Sequence, residues 1–332
     1  MTLDDLTFSL DQASFDPAAR PERTARELLK EIHFLADERF WQYTPAQLRH
    51  FHVRLLDWLR NRSYSVDELR TLLELVPAIQ FVDREDMASL YRAAFRGPIG
   101  RWIADDSQWP IGHFLGAAQN QVNQGIAETW FCPVTDSMDI GQFLRVNQLA
   151  GAGARPPWKV LATFGDFGRV REFVARKGYR RLVLLEDFVG SGTQAGRAVK
   201  CALEELNGLP VIFVPLIASQ RGVRKYGAML KKHEHFSFEP VFTIPRRMHL
   251  FSEPQHDEPQ LFQRLREIAL QTHQQVRQHQ DGDNEQPRHP LGFSRSYGLL
   301  FVQYMNCPNN TLPLIWRDGQ AWSALFPRIA RW

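Results

Sequence analysis

Short apolar runs alternate with helical stripes across the middle of the chain, between residues 131 and 244. The runs at 182–185 and 211–217 are too short and too rich in β-favouring residues for helices, so each predicts a buried parallel strand. Residues 193–206 place apolar side chains at helical spacing, and this helix is predicted to stop at the glycine and proline that follow. Strands that alternate with helices predict an α/β fold with a mostly parallel sheet and right-handed crossovers.

Two further strands complete the predicted sheet. They are the short apolar runs at 131–134 and 241–244, and a polar loop and a helix follow the first of them. Pro215 lies inside the run at 211–217 and predicts an edge position or a bulge, because proline donates no ladder hydrogen bond. The basic run at 219–225 is predicted to form a loop, which either approaches a phosphate or is only solvated.

The first hundred residues repeat their apolar positions at helical spacing only. Stripes of this kind occupy residues 28–36, 48–59 and 84–96. Capping boxes are predicted at 44–47, with proline in its favoured first position, and at 65–68. Residues 1–105 are therefore predicted to form a helical extension, which either covers one face of the sheet or binds a partner.

The remaining domain boundaries follow from a change in polarity near the C-terminus. Residues 106–270 are predicted to form the α/β core. Residues 271–290 are nearly all polar, with Val276 as their only large aliphatic side chain, and predict a mobile linker. Residues 291–332 are predicted to form a hood segment that completes the core.

Composition describes an ordinary globular chain and argues against several classes of function. The 332 residues are 44% hydrophobic and 23% charged, and a net charge of +3 does not indicate direct nucleic-acid binding. No run approaches the ~20 apolar residues of a membrane span, and the acidic start is unlike a secretory signal. Three cysteines without metal spacing predict a reducing cytoplasm. His233-Glu234-His235 resembles a metal pair, but no third ligand follows at a suitable spacing.

Two adjacent acids, Glu186 and Asp187, follow the strand at 182–185 and precede a small-residue loop. This glycine loop consists of Gly190, Ser191, Gly192, Thr193 and Gln194. Backbone N–H groups at a helix N-terminus attract anions, and glycines let the main chain approach a phosphate closely. The acids lie over the same crevice, where they could accept hydrogen bonds from ribose hydroxyls. The pattern predicts a phosphate at the loop and a sugar at the acids, with an ordinary tight connection as the alternative.

This segment resembles the signature of the type I phosphoribosyltransferases, which is an apolar strand, two acids, two apolar residues and a Thr/Ser/Gly-rich loop. The resemblance implies that Glu186 and Asp187 are the catalytic acids that hold the ribose, that residues 190–194 bind the 5-phosphate, and that Asp187 contacts Mg²⁺. Two positions depart from the family pattern. Gln194 stands where a threonine usually closes the loop, although Thr193 could substitute, and Gly190 stands where many members carry Asp or Thr.

A second segment is similar to the ComF-like branch of the same family. It has a Pro-Val strand end, a polar loop, and the pair Asn147 and Gln148 in the following helix. In that branch the loop binds pyrophosphate, so the resemblance implies Asp136 and Ser137 as pyrophosphate-loop residues. The usual basic residue of such loops is absent, which leaves Arg145 as the nearest cation. An ordinary strand-loop-helix unit is the alternative.

The C-terminal region strengthens the resemblance. The runs at 291–294 and 308–313, together with the glycine loop, look like the bacterial conflict-associated PRTase-CE family. Asn309, Asn310 and Thr311 then become candidates for a cap on the base side, whereas turns of this kind often satisfy only their own backbone. Members occur in antiphage defence contexts, including beside retron reverse transcriptases, which implies a protein partner encoded in a defence operon.

The resemblance therefore implies a type I phosphoribosyltransferase-like protein that binds a ribose 5-phosphate-containing nucleotide or phosphoribosyl pyrophosphate. Two classes of function stay open. The missing threonine and the weak pyrophosphate loop favour a nucleotide sensor, whereas the intact acid pair favours an enzyme. That enzyme would be a Mg²⁺-dependent phosphoribosyltransferase or a nucleoside-phosphate glycosidase of nucleotide metabolism, with positioning and charge stabilisation as its means. A helical scaffold with a degenerate site is the third class.

Overall fold

The computed structural model describes residues 3–13, 23–46, 49–106, 118–149, 156–206, 208–277, 289–292, 298–319 and 321–329. The chain forms two compact units. The helical unit comprises Met1–Arg84 together with Arg246–Trp332, and the α/β unit is Glu85–Pro245. None of the described helices combines the length and the apolar character that a membrane crossing requires.

The two units meet at residues 84/85 and 245/246, whereas the predicted core began at residue 106 and ended at residue 270. Residues 85–105, predicted as part of the helical extension, belong to the α/β unit. Aromatic packing explains this difference, because the rings of Tyr91 and Phe143 lie 6.0 Å apart within that unit. Residues 246–270, predicted as part of the core, and residues 291–332, predicted as a hood on it, cluster with the helical unit.

The N-terminal part of the helical unit consists of helices with buried apolar faces. Its elements are α1 (Leu3–Ala13), α2 (Ala25–Glu38), α3 (Phe51–Trp58), α4 (Val66–Ala78) and β1 (Gln80–Val82), with 3₁₀ turns at Phe40–Gln42 and Thr44–Ala46. Ser65 and Glu68 form the predicted capping box on α4, and Thr24 forms an unpredicted one on α2. The predicted helix start at 44–47 is wrong. Thr44 begins only a 3₁₀ turn, and its N–H donates to Tyr304 O at 2.8 Å.

The α/β unit alternates helices and strands as predicted. Its helices are α5 (Arg84–Ala94), which begins at the boundary residue, α6 (Gly100–Asp106), α7 (Ala118–Ala127), α8 (Ile140–Val146), α9 (Trp158–Phe164), α10 (Phe167–Lys177), α11 (Thr193–Glu205) and α12 (Gln220–Leu230), with a π-helical turn at Phe95–Ile99. Its strands are β2 (Thr129–Pro133), β3 (Arg181–Val189), β4 (Val211–Ala218), β5 (Phe236–Phe238) and β6 (Phe242–Thr243). The strand order is β2-β3-β4-β5, β6 also pairs with β4, and every pairing is parallel. The predicted parallel α/β sheet is confirmed.

β3 and β4 form the centre of this sheet. Their register pairs Leu182 with Val211 and Leu185 with Val214. The apolar cluster around them includes Val199 of α11. Burial of this kind is typical of parallel strands that helices cover, and it explains why the two strands read as continuous apolar runs in the sequence.

Pro215 lies in an interior strand, so the predicted edge position is wrong. β4 pairs with β3 on one side and with two short strands on the other, β5 at 211–213 and β6 at 217–218. Pro215 falls between these two pairings, and its carbonyl accepts the N–H of Val241 at 3.0 Å. The nitrogen and the carbonyl of one strand residue point to the same side. The absent N–H therefore faces the interruption between β5 and β6.

The C-terminal part of the chain supplies the other elements of the helical unit. They are a 3₁₀ turn at Arg246–Met248, β7 (His249–Leu250), α13 (Gln260–Arg277), β8 (Gly298–Leu299), β9 (Phe301–Gln303) and α14 (Pro313–Trp316). β7 and β8 are antiparallel, whereas β1 pairs in parallel with β9. Trp58 Nε1 donates to Leu314 O at 2.7 Å, and Tyr43 OH donates to Pro327 O at 2.8 Å. The two chain segments of the unit thus share one hydrogen-bonded interior.

The predicted mobile linker is partly helical. Residues 271–277 form the last turns of α13, and Thr272 and Val276 are buried. Ile268, Thr272 and Val276 follow one another at four-residue spacing, so a single aliphatic side chain in the polar stretch extends an apolar face that began earlier. Residues 278–288 of the predicted linker lie outside the described residues.

Candidate functional site

The two predicted acids lie within the carboxyl-terminal part of β3. The strand continues past them to Val189, and Glu186 and Phe188 pair with Pro215 and Ile217 of β4. Only 5% of the Glu186 surface and 4% of the Asp187 surface are exposed. Buried carboxyl groups are costly without hydrogen-bond partners, so their contacts decide their roles.

Loop 135–137, which follows β2, supplies those partners. Glu186 Oε2 accepts the backbone N–H of Thr135 at 3.0 Å, and Glu186 Oε1 accepts the Thr135 hydroxyl at 2.7 Å. Ser137 Oγ lies 2.6 Å from Asp187 Oδ1 and 3.3 Å from Glu186 Oε1. A hydroxyl donates a single proton, so the shorter contact to Asp187 is the stronger one. The N–H of Phe188 also donates to Asp187 Oδ1, at 2.8 Å.

The structure thus brings three of the predicted site residues together, namely Ser137, Glu186 and Asp187. Asp136, the other predicted pyrophosphate-loop residue, is exposed at the turn of the same loop. Sequence reasoning missed Thr135, whose backbone and side chain both bind Glu186. No local pattern marks it, because the contact joins residues on two different strand ends.

Burial raises the pKa of Glu186 to about 8, and the neighbouring Asp187 charge contributes in the same direction. The hydrogen bonds from Thr135 and Ser137 act in the opposite direction and are the smaller effects. Glu186 therefore holds its proton to a higher pH than an exposed glutamate does, and a proton on this group reduces the repulsion between the adjacent carboxyl groups.

The glycine loop joins β3 to α11 as predicted. Gly192 is the N-cap residue of α11 and has a left-handed backbone, with φ of 71°, which glycine adopts without strain. Among the described contacts, no side chain caps this helix from the Gly192 position. Ser191 Oγ donates to Thr193 Oγ1 at 3.1 Å and accepts the N–H of Thr193 at 3.3 Å. Thr193 and Gln194 are exposed at the start of the helix, where the dipole favours an anion.

α12 holds the glycine loop from one side. The predicted basic loop at 219–225 is wrong, because Ser219 is the N-cap of α12 and the following residues form its first turns. Ser219 Oγ accepts the N–H groups of Arg221 and Gly222 and donates to Gly190 O at 2.7 Å. A Cβ on Gly222 would lie 2.7 Å from Val189 Cγ1. Only glycine lets this helix approach the end of β3 so closely.

Two side chains of α12 converge on the carbonyl oxygen of Gly192. Lys225 Nζ donates to it at 2.7 Å, and the buried Tyr226 hydroxyl donates to it at 3.1 Å. The N–H of Gly196 is a third donor at 3.0 Å. This carbonyl therefore fixes the turn between the glycine loop and α11, and neither Lys225 nor Tyr226 is marked by any pattern near the loop in sequence.

Lys225 also places a positive charge at the positive end of a helix. A Cβ on Gly196, in the first turns of α11, would lie 2.8 Å from Lys225 Nζ. Burial lowers the pKa of Lys225, and the charge of Arg221 lowers it further. A cation in this position is opposed by the helix dipole, and an anion bound at the loop would relieve that opposition.

The base-side cap candidates lie in the helical unit. Asn310 and Thr311 are buried. The Thr311 hydroxyl donates to Phe301 O, its carbonyl accepts Trp316 Nε1 at 2.8 Å, and its N–H donates to Pro308 O at 3.1 Å. These contacts stabilise the turn itself. A role of Asn309, Asn310 and Thr311 at a nucleotide base stays a prediction.

The described residues contain no group of three or more His, Cys, Asp or Glu side chains that could hold a metal ion. Mg²⁺ is usually held by one or two carboxylates together with substrate phosphates and water, so it needs no such protein cage. Asp187 at the end of β3 fits that mode of binding. His233 and His235 have no third ligand within the described part of the chain.

A parallel sheet that ends in two acids and a glycine loop, followed by a helix that begins at the loop, defines a phosphoribosyltransferase-like protein. The chain belongs to the PRTase-CE family, whose family model matches residues 55–328. No curated protein and no solved structure matches the chain.

Proposed function

We propose that the protein binds a ribose 5-phosphate-containing nucleotide or phosphoribosyl pyrophosphate at the carboxyl end of β3, in a bacterial antiphage defence system. The observation that carries the ligand class is the glycine loop at the N-terminus of α11, with the Lys225 ammonium group beside it. Membership of the PRTase-CE family supports a phosphoribosyl ligand. The defence role and a protein partner from the same operon rest on the family resemblance.

The glycine loop and the acids would bind different parts of the ligand. The N–H groups in the first turn of a helix lack acceptors within the helix, so a 5-phosphate at the glycine loop would accept hydrogen bonds from the start of α11. Lys225 would neutralise part of the phosphate charge. The ribose would lie at the carboxyl end of β3, because the glycine loop and the acids belong to the end of the same strand.

Mg²⁺ is the expected cofactor when the ligand carries a pyrophosphate. Asp187 would hold it together with phosphate oxygens of the ligand. The ion would neutralise pyrophosphate charge and support its departure as a leaving group. Loop 135–137 contributes no cation of its own, and its Ser137 hydroxyl is engaged with the acids.

A sensing role is favoured over catalysis by the state of the acid pair. Glu186 is buried, is bonded to Thr135, and has a raised pKa, so it is poorly suited to stabilise positive charge that develops at the anomeric carbon. A partner protein would then bind differently to the occupied and the empty site. The alternative is an active Mg²⁺-dependent phosphoribosyltransferase or nucleoside-phosphate glycosidase, which the presence of both acids favours.

Thermal unfolding with ribose 5-phosphate, adenosine monophosphate and phosphoribosyl pyrophosphate, each with Mg²⁺, tests the proposed site. A ligand at ~100 times its dissociation constant stabilises the folded state by about 2.7 kcal/mol. For a unit of this size we expect the melting temperature of the α/β unit to rise by about 5–10 °C. The absence of a rise with all three ligands at millimolar concentration would count against the site.

Lys225→Met and Lys232→Met form a matched pair for the same assay. Lys225 lies beside the glycine loop, whereas Lys232 is exposed beyond the end of α12. A charge-assisted hydrogen bond contributes ~1.5–3 kcal/mol, so Lys225→Met is expected to weaken ligand binding about 10- to 100-fold. Lys232→Met should bind as the wild type does. Release of pyrophosphate or of a free base by the purified protein would favour the enzyme over the sensor.

A further inference from the structure

Glu186 and Asp187 occupy the same end of β3, but their hydrogen bonds divide their roles. Both carboxyl oxygens of Glu186 accept bonds from loop 135–137, one from the Thr135 backbone and one from the Thr135 side chain. Asp187 meets that loop through Oδ1, at the Ser137 hydroxyl. The loop is thus attached to Glu186 through both the main chain and the side chain of Thr135, and to Asp187 through the side chain of Ser137.

We infer that Glu186 is a positioning residue that holds loop 135–137 against β3, and that Asp187 is the acid that meets the sugar hydroxyls. The part played by Asp187 rests on the proposed function. The part played by Glu186 does not, because it concerns contacts within the protein.

The free-energy cost of replacing a protein hydrogen-bond donor by a ribose hydroxyl differs between the two acids, and this difference supports the division of roles. A ribose hydroxyl that reached Glu186 would have to displace Thr135 and leave its buried N–H without an acceptor, which is the costly outcome for a buried polar group. A ribose hydroxyl at Asp187 would take the place of the Ser137 hydroxyl, one donor of the same kind for another. Asp187 can therefore exchange a partner without loss of the loop anchor, whereas Glu186 cannot.

The position of loop 135–137 can be measured without a ligand. Asp136 is exposed at the turn, so Asp136→Cys accepts a nitroxide spin label there. Cys132 and Cys307 are buried, and Cys201→Ala removes the partly exposed native thiol. In this background we expect an immobilised electron paramagnetic resonance spectrum.

Thr135→Val and Thr135→Ser provide the matched comparison. Valine keeps the shape of the side chain and removes the hydroxyl that Glu186 accepts, so the label should become mobile. Serine keeps that hydroxyl and should restore the immobilised spectrum. Glu186→Ala, which removes both carboxyl oxygens that hold Thr135, should also mobilise the label. Spectra that stay immobilised in both Thr135→Val and Glu186→Ala would overturn the positioning role, and circular dichroism would show that the variants are folded.

Binding of ribose 5-phosphate separates the two acids. This probe has no pyrophosphate, so it tests the sugar contact without a pyrophosphate group bound at the loop. We expect Asp187→Asn to weaken its binding at least tenfold and Glu186→Gln to weaken it less than about threefold. Equal losses in the two variants would show that Glu186 touches the sugar and would refute the division. If the wild type binds neither ribose 5-phosphate nor phosphoribosyl pyrophosphate, the proposed function fails and the spin-label result still decides the role of Glu186.

Discussion

Glu186→Gln is expected to remove most of a pH-dependent loss of stability from the α/β unit. Burial, followed by the Asp187 charge, raises the pKa of Glu186 from 4.5 to about 8. An acid whose pKa is higher in the folded state binds its proton more tightly there. Its contribution to stability is therefore complete below pH 4.5 and is lost as the pH rises through 8. At ~1.4 kcal/mol per pH unit, the interval between these values corresponds to roughly 5 kcal/mol in the free energy of unfolding.

The assay is urea unfolding at several pH values from about 5 to 9, with EDTA present to remove divalent cations. Hydrogen exchange of the β3 peptide, followed by mass spectrometry, reports on the α/β unit alone. The difference between wild type and Glu186→Gln isolates the titration of Glu186 together with its coupling to Asp187, because the remaining titrating groups are common to both. Glu172→Gln, at an exposed position on α10, is the control and should keep the wild-type pH dependence. Parallel pH curves for wild type and Glu186→Gln would show that Glu186 is ionised in the folded protein and would refute the reasoning.

Four further substitutions, one of them a control, probe the packing around the site and the helical unit. Gly222→Ala should destabilise the α/β unit by about 1–3 kcal/mol, because its Cβ would lie 2.7 Å from Val189 Cγ1. Gly227→Ala on the same helix has open space and should stabilise it by up to ~1 kcal/mol; similar urea midpoints for the two variants would contradict the close approach of α12. Tyr226→Phe removes the hydrogen bond to Gly192 O and should cost about 1 kcal/mol in urea unfolding, and no change would show that the hydroxyl does not hold the loop. Ser65→Ala should lower the stability of the helical unit by about 1 kcal/mol without changing hydrogen exchange in β3, since Ser65 caps α4.

The centre of the sheet could be predicted from the sequence because its signals are local. β3 and β4 contain continuous apolar runs, the acid pair follows the apolar run within β3, and the glycine loop follows the strand. The position of Pro215 could not be predicted. The rule that proline lies at an edge assumes a continuous outer strand, and here that strand is interrupted between β5 and β6.

The parts of the site that the sequence did not reveal depend on tertiary contacts. Thr135 and Glu186 meet across the ends of two neighbouring strands. Tyr226 contacts Gly192 from α12, which is separated from α11 by β4. The basic run at 219–225 was predicted to be a loop because of its charges. Ser219 is instead an N-cap, and the residues that follow it form the first turns of α12. Asp136 and Ser137 were predicted as pyrophosphate-loop residues from a resemblance, and the contact between Ser137 and Asp187 shows that this loop lies beside the acids.

The chain order of the two units has a consequence for folding during synthesis. The α/β unit is continuous in sequence, whereas the helical unit is assembled from segments on both sides of it. β1 pairs with β9, which places Gln80 opposite Phe301. The ribosome therefore releases the whole α/β unit before the partner strand of β1 exists. We expect the α/β unit to fold first. During that time β1 has no partner strand, and its exposed edge is a binding site for a chaperone.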